Sequence, residues 1–333
     1  MLNKISPAVS KPDEFALIAR ITSSVSADSS VVTGIGDDAA VTSLSPGMKL
    51  LTSTDMLLED IHFRRIWHDP FLLGRKSLAV NISDIAAMGG VPRWVLLSIA
   101  VPADISLDFI DCFSSGFLEM AAEHGVTLIG GDTCSSRSAL IISVTIMGEQ
   151  YPEKILRRSG AMPDDDIWVT GTLGDAALGL KLLEEGLSCV RSLSRLLNPA
   201  PRLSAASALA EAGAVNSMID ISDGLLADFG HIAKQSNVGG CINIEKIPLS
   251  TDFLARFSEL GTIPYHLPLS GGEDYELCFT AMPSEREKII DCMKKSGVAA
   301  TRIGIVTSCP DLKVLNPDGS LYCSRHEGFN HFK

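Results

Sequence analysis

The chain has 333 residues, 46% of them hydrophobic and 20% charged, which describes a globular protein with a sizeable core and makes two domains the expectation. Its 40 acidic against 28 basic residues, a formal net charge of -12, argue against a broad nucleic-acid or anionic-lipid surface, because such surfaces need excess Lys and Arg to replace counterions. The eight cysteines are scattered with no C-x-x-C pair, which speaks against a zinc site or redox couple and for buried thiols in a reducing compartment.

Residues 1–12 lack the basic start and apolar run of a secretory signal, so a cytoplasmic location is expected. Helical spacing of Phe15, Leu17, Ile18 and Val25 predicts a helix over 13–25, followed by a glycine-bracketed turn, Gly34-Ile35-Gly36-Asp37-Asp38. A strand over 49–56 ends in Ser53-Thr54-Asp55. Asp69-Pro70 then reads as the N-cap and first residue of a helix running towards Met88, with Asp84 near its end. A strand over 93–101, a helix over 106–124, a strand over 126–129 running into Gly130-Gly131-Asp132, and a strand over 140–147 follow. The apolar run at 94–101 is far shorter than the roughly 20 residues a membrane span needs.

Periodicity lapses over 150–166, placing the domain junction there and dividing the chain into 1–150 and 151–333. The second unit reads as a strand over 167–170, helices over 174–185 and 201–212, a strand ending in Ile219-Asp220-Ile221-Ser222-Asp223-Gly224, and a helix to about residue 235. A strand over 241–247 and a helix after Ser250 come next. The Ser270-Gly271-Gly272-Glu273-Asp274 turn then leads into a strand over 275–280, a helix over 284–296, a strand over 300–306 and a hairpin at Asn316-Pro317-Asp318-Gly319.

The recurring feature is an Asp beside Gly or Ser where a strand ends or a helix begins: Asp37, Asp38, Asp55, Asp132, Asp220 and Asp223, with Asp84 inside a helix. One Asp-Gly pair is ordinary turn chemistry. Several converging from different strands are what enzymes handling Mg²⁺-bound nucleotides use, because hard cations want oxygen donors. The chain has no Walker A loop, no protein-kinase signature, no G-x-S-x-G elbow and no H-E-x-x-H. Spacing alone therefore reaches a metal-dependent, phosphate-handling α/β enzyme and no further.

The ordered set Gly34-Ile35-Gly36-Asp37-Asp38, Ser53-Thr54-Asp55, Asn81-Ile82-Ser83-Asp84, Gly130-Gly131-Asp132, Asp220-Ile221-Ser222-Asp223-Gly224 and Ser270-Gly271-Gly272-Glu273-Asp274-Tyr275-Glu276-Leu277 resembles the thiamine-monophosphate kinase family, nearly end to end. The first motifs point to the wider aminoimidazole ribonucleotide synthetase-like (PurM-like) superfamily; the 270–277 run and the tail, Gly328 to Phe332, single out this kinase. The resemblance implies a two-domain α/β fold, in which residues 1–150 form a mixed-sheet domain that binds ATP and metal and pairs into a barrel in a homodimer. Residues 151–333 form a C-terminal α/β domain that completes the site. It implies Asp38, Ser53, Thr54, Asp55, Asp84, Asp132, Asp220 and Asp223 as ligands of several Mg²⁺ ions; Gly131, Asp132, Arg158 and Ser222 as ATP contacts; and His62, Glu273 and Phe329 as the thiamine-phosphate pocket. Phe329 stands where the family often carries Trp or Tyr.

The activity implied is in-line transfer of the γ-phosphoryl of ATP to thiamine monophosphate without an obligatory base, since the acceptor phosphate is already anionic. Of the superfamily rivals, a selenophosphate synthetase would want a cysteine near the N-terminus, where the first here is Cys112. A hydrogenase maturation protein would want a cysteine-bearing tail, where this chain ends His331-Phe332-Lys333. A non-catalytic nucleotide-binding homologue would show eroded carboxylates, and these are intact.

Overall fold

The structure, a computed structural model, describes residues 14–22, 25, 28–187, 190–258 and 263–322. Helix α1 (Glu14–Thr22) and a small ladder of β1 (Val31–Thr33) with β2 (Val41–Thr42) precede β3 (Lys49–Leu58). Helix α2 (Pro70–Ala87) starts where Asp69 accepts the Phe71 N–H at 2.9 Å and Pro70 takes the first helical position. Strand β4 (Val91–Pro102), helix α3 (Leu107–Glu123), capped by Ser106, and strands β5 (Thr127–Ser136) and β6 (Ile141–Gln150) complete the first unit.

These strands form one sheet in the order β3-β6-β4-β5, antiparallel except for the β4/β5 pair. α2 and α3 cover one face. They approach so closely that a Cβ on Gly116 would stand 1.9 Å from the Phe71 carbonyl oxygen, which only glycine avoids. Leu73, Ile82, Phe113, Phe117 and Val144 are almost wholly buried between helices and sheet, each such side chain stabilising the fold by roughly 1.5–3 kcal/mol.

The second unit comprises β7 (Asp166–Thr170), α4 (Asp175–Glu184), α5 (Val190–Leu197), α6 (Leu203–Ala212), β8 (Ser217–Asp220), α7 (Leu225–Ser236), β9 (Gly239–Asn243), α8 (Thr251–Ser258), α9 (His266–Ser270), β10 (Leu277–Ala281), α10 (Arg286–Ser296), β11 (Ala300–Thr307) and β12 (Leu312–Leu315). Its sheet runs β12-β9-β11-β7-β10-β8, antiparallel except for β9/β12. The two units share a core: Ala86 and Ala87 at the end of α2 pack with Trp168, Leu209, Met218 and Phe279 of the second unit. α2 is thus a spine common to both.

Several expectations are corrected. Asp55 and Asp132 do not end strands: β3 runs on to Leu58 and β5 to Ser136. β5 passes through the glycine pair because Gly131, lacking a Cβ, lies flat against β4; a Cβ there would meet the Leu97 carbonyl oxygen at 1.8 Å. The strand expected over 241–247 stops at Asn243, and a 3-10 turn over Ile244–Lys246 follows. Residues 271–276 are not strand, and two helices, α5 and α9, lie where none was expected.

Candidate active site

A cavity of about 1030 Å³ opens between the units. Its wall is the face of α2 carrying Val80 and Asp84, and Lys76 continues that face at the same spacing of four. Asp55 enters from β3, Asp220 from the end of β8, and Ser222 and Asp223 from the loop after it. Gly271, Gly272, Glu273 and Tyr275 close the far side. A Cβ on Gly272 would lie 2.3 Å from the Ser222 carbonyl oxygen, so the double glycine lets the two loops touch, and the Glu273 N–H donates to that same oxygen at 2.8 Å.

One end of the cavity is carboxylate-rich. Burial, then the charges of Asp84 and Asp223, pushes Asp55 up to about 6. Burial, then Asp84, pushes Asp220 up to about 7, although Ser83 Oγ donates to it at 2.6 Å. Asp84 is raised by burial even though Ser53 Oγ donates at 2.5 Å. Among the described residues, the cation whose field reaches both Asp84 and Asp220 is the exposed Arg158 in the segment joining the units. The loop bearing Asp223 is clamped by Asp228, which accepts the N–H groups of Ser222, Asp223 and Gly224 at 3.0, 3.0 and 3.1 Å.

The other end is of mixed character. His62 Nδ1 accepts the Leu58 N–H at 3.0 Å, fixing its ring at the wall. Glu273, held at φ 67°, receives Lys76 Nζ at 2.9 Å, and Lys76 is fully buried. Tyr275 packs against the first unit's core, its hydroxyl pushed well above the usual phenol range by burial and by Glu273, Asp55, Asp220 and Asp84. His68, Phe63, Trp67 and Leu180 line the remainder.

The expected site residues do not all converge. Ser53, Asp55, Asp84, Asp220, Ser222, Asp223, His62 and Glu273 gather at the cavity, with Arg158 within electrostatic reach. Strand alternation turns Thr54 to the opposite sheet face, where its hydroxyl meets Val144 O and Thr145 Oγ1 at 3.0 Å each. The register sets Asp132 level with Ser98, Ser143 and Met56 on that same outer face, while Gly131 lies level with Leu97 and Asp55. Asp38 sits on the exposed 34–40 loop, and Phe329 lies outside the described residues. Lys76, Tyr275 and Asp228 are site residues that the sequence reading passed over. Only the spacing of Lys76, Val80 and Asp84 by four carried a signal.

A magnesium ion suits this donor set. The cavity end offers only hard oxygen donors, and burial and their mutual repulsion raise Asp55 and Asp220, a strain that a bound divalent cation would relieve. Among the described residues no three His, Cys, Asp or Glu groups close into a finished cage. Mg²⁺ keeps several waters and is commonly shared between one or two carboxylates and substrate phosphates, so an open arrangement is what it needs.

Residues 36–150 match the family described as AIR synthase related protein, N-terminal domain, and residues 162–315 match its C-terminal domain. A thiamine-monophosphate kinase of Buchnera aphidicola subsp. Acyrthosiphon pisum is 38% identical over 311 residues, covering 92% of this chain and 94% of the relative. The crystal structure of thiamine-monophosphate kinase from Stenotrophomonas maltophilia K279a superposes with a TM-score of 0.80 at 36% identity, covering 92% of this chain and 95% of that one. The structure of AaThiL complexed with AMPPCP and TMP superposes with a TM-score of 0.76 at 31% identity, covering 98% of this chain and 100% of that one.

Proposed function

We propose, since the chain belongs to the thiamine-monophosphate kinase family, that it transfers the γ-phosphoryl group of ATP to thiamine monophosphate, giving thiamine diphosphate and ADP. The observation that carries this reading is the division of one cavity into a carboxylate end, fit for metal-bound phosphates, and an end with aromatic, apolar and ion-paired groups, fit for a heterocycle.

Bound magnesium would screen the repulsion between donor and acceptor phosphates. Asp55, Asp84, Asp220 and Asp223, with Ser53 and outlying Asp38, Thr54 and Asp132, are the proposed oxygen donors. Gly131 and Asp132 on the edge strand β5, Arg158 and Ser222 are proposed to hold the nucleotide. His62 and Glu273 are proposed to line the acceptor pocket, with Phe329 of the tail. The acceptor phosphate is already anionic, so no side chain is asked to remove a proton, and the work of the protein is alignment for in-line attack. Asp228 contributes by fixing the loop that presents Asp223, and Lys76 by fixing Glu273.

The proposal extends to a homodimer. The sheet face opposite α2 exposes Leu50 and Met56 by 49% and 54%, and a second copy closing there would cover them together with Thr54 and Asp132. No helix among the described residues is long and apolar enough to cross a membrane; a cytoplasmic location is part of the proposal.

The test is to incubate the protein with ATP, Mg²⁺ and, separately, thiamine monophosphate, thiamine or no acceptor, quantifying thiamine diphosphate and ADP. Thiamine diphosphate formed from the monophosphate alone, and abolished by chelator, is the expected result. ADP without that product would move the acceptor to another compound, and no ADP at all would favour a non-catalytic nucleotide-binding protein.

A further inference from the structure

Among the described residues that line the cavity, His68 is the one with buried side-chain nitrogens that lack a hydrogen-bond partner. It is 5% exposed, lines the cavity, and neither ring nitrogen makes a hydrogen bond. Buried polar groups are satisfied in the large majority of native positions, so an imidazole left unpaired beside an open cavity faces whatever fills it. Phe63 packs edge-on against its ring at 6.2 Å, which fixes the imidazole by packing and offers it no polar partner.

The position is informative as well. His68 directly precedes the cap of α2, and α2 runs along the cavity. Asp84 stands eight residues beyond Lys76, about 12 Å along the axis at 1.5 Å per residue. That is the span of a phosphomonoester carrying two linked rings. With the phosphate at Asp84, the ring farther from it reaches the region of Lys76, Glu273 and His68. Burial first, and then the charge of buried Lys76, keeps the imidazole neutral; the Arg64 carbonyl takes the His68 backbone N–H at 3.1 Å. A neutral imidazole has one donor and one acceptor nitrogen, and can accept from an exocyclic amine or donate to a ring nitrogen beside it.

We infer that His68 is a specificity-determining residue for the acceptor, hydrogen bonding the amine-bearing edge of its aminopyrimidine ring; this rests on the kinase reading above. Lys76 and Glu273 position this end of the pocket, and His68 reads the ring.

The experiment compares wild type, His68→Leu and His68→Gln with thiamine monophosphate and with oxythiamine monophosphate, in which a carbonyl replaces the exocyclic amine. The readouts are kcat and KM for each acceptor and KM for ATP. Wild type is expected to prefer the amine. His68→Leu should raise KM for thiamine monophosphate roughly tenfold, the loss of about one hydrogen bond, at unchanged kcat and unchanged KM for ATP. Its preference between the two acceptors should shrink towards unity, and His68→Gln, which keeps a donor and an acceptor, should recover part of it. An unchanged preference in His68→Leu, or a change confined to KM for ATP, overturns the inference while leaving the kinase reading intact. A wild-type protein that makes no thiamine diphosphate overturns both.

Discussion

Two regions of the second unit bury acidic side chains, and they treat them in opposite ways. Behind β10, Glu276 is fully buried and accepts from Arg195, from Arg202 through two nitrogens at 2.6 and 2.5 Å, and from Thr170 Oγ1 at 2.7 Å. Asp166, on β7, would be raised by burial, but hydrogen bonds from Arg286 and Arg302 overcome that and hold it below the usual carboxylate range. At the cavity, Asp220 has the Ser83 hydroxyl and the field of exposed Arg158, while Asp55 faces the charges of Asp84 and Asp223, and both are pushed up, to about 7 and about 6. Where the protein supplies the counter-charge the acid is structural; where it withholds it, the proposed magnesium would supply it.

The comparison breaks if the two regions respond alike to loss of charge. Asp84→Asn and Asp55→Asn should each lower kcat more than about a hundredfold, since even groups that only support metal ligands cost 10–100-fold. Thermal midpoints should hold or rise, because a buried repulsion is relieved. Glu276→Gln should do the reverse, leaving two arginines uncompensated at a cost of about 3–5 kcal/mol in urea denaturation, with activity per folded molecule largely kept. An Asp84→Asn protein that turns over normally would remove this aspartate from the machinery.

Ligand linkage sharpens the same contrast. Mg²⁺ with ATP at about a hundred times its dissociation constant should stabilise the wild type by roughly 2.7 kcal/mol. Chelator should reverse this, and Asp84→Asn should lose most of it. Stabilisation by ATP that survives chelator would mean that Arg158 and backbone groups hold the phosphates without a cation.

Much of this was legible in the sequence. The start of α2 could be read to the residue from Asp69-Pro70, because capping is a local event. The four-residue spacing of Lys76, Val80 and Asp84 set their shared face. What could not be read was long-range. That Thr54 and Asp132 lie on the sheet face opposite Asp55 depends on register, and a motif read along the chain does not show on which side of a sheet each member falls. The Lys76 to Glu273 pair joins residues 197 apart. α5 was overlooked because its apolar and charged residues sit in a short stretch between two loops, where length gives little periodicity to recognise.

The smallest expected effect concerns His68, which fits neither class because it is buried with no charge to neutralise. Its conjugate acid is pushed down to about 3, first by burial and then by Lys76. Between its ordinary value near 6.5 and that value, the unfolded chain binds a proton that the folded chain refuses. Stability attributable to this residue is therefore complete above about pH 6.5 and falls by about 1.4 kcal/mol per unit as pH drops. By pH 5 the loss is about 2 kcal/mol. Asp55 and Asp220 act in the opposite sense over the same range, since raised carboxyls bind protons more readily in the folded state and gain stability on acidification. The wild-type profile alone is thus a sum of opposing slopes, and only the difference from His68→Leu isolates the imidazole. Urea midpoints from pH 7 to pH 4 should fall less steeply in the variant, by close to one proton's worth. Parallel profiles would mean that the folded protein accepts the proton on His68, and that residue would then join the groups whose partners the protein itself provides.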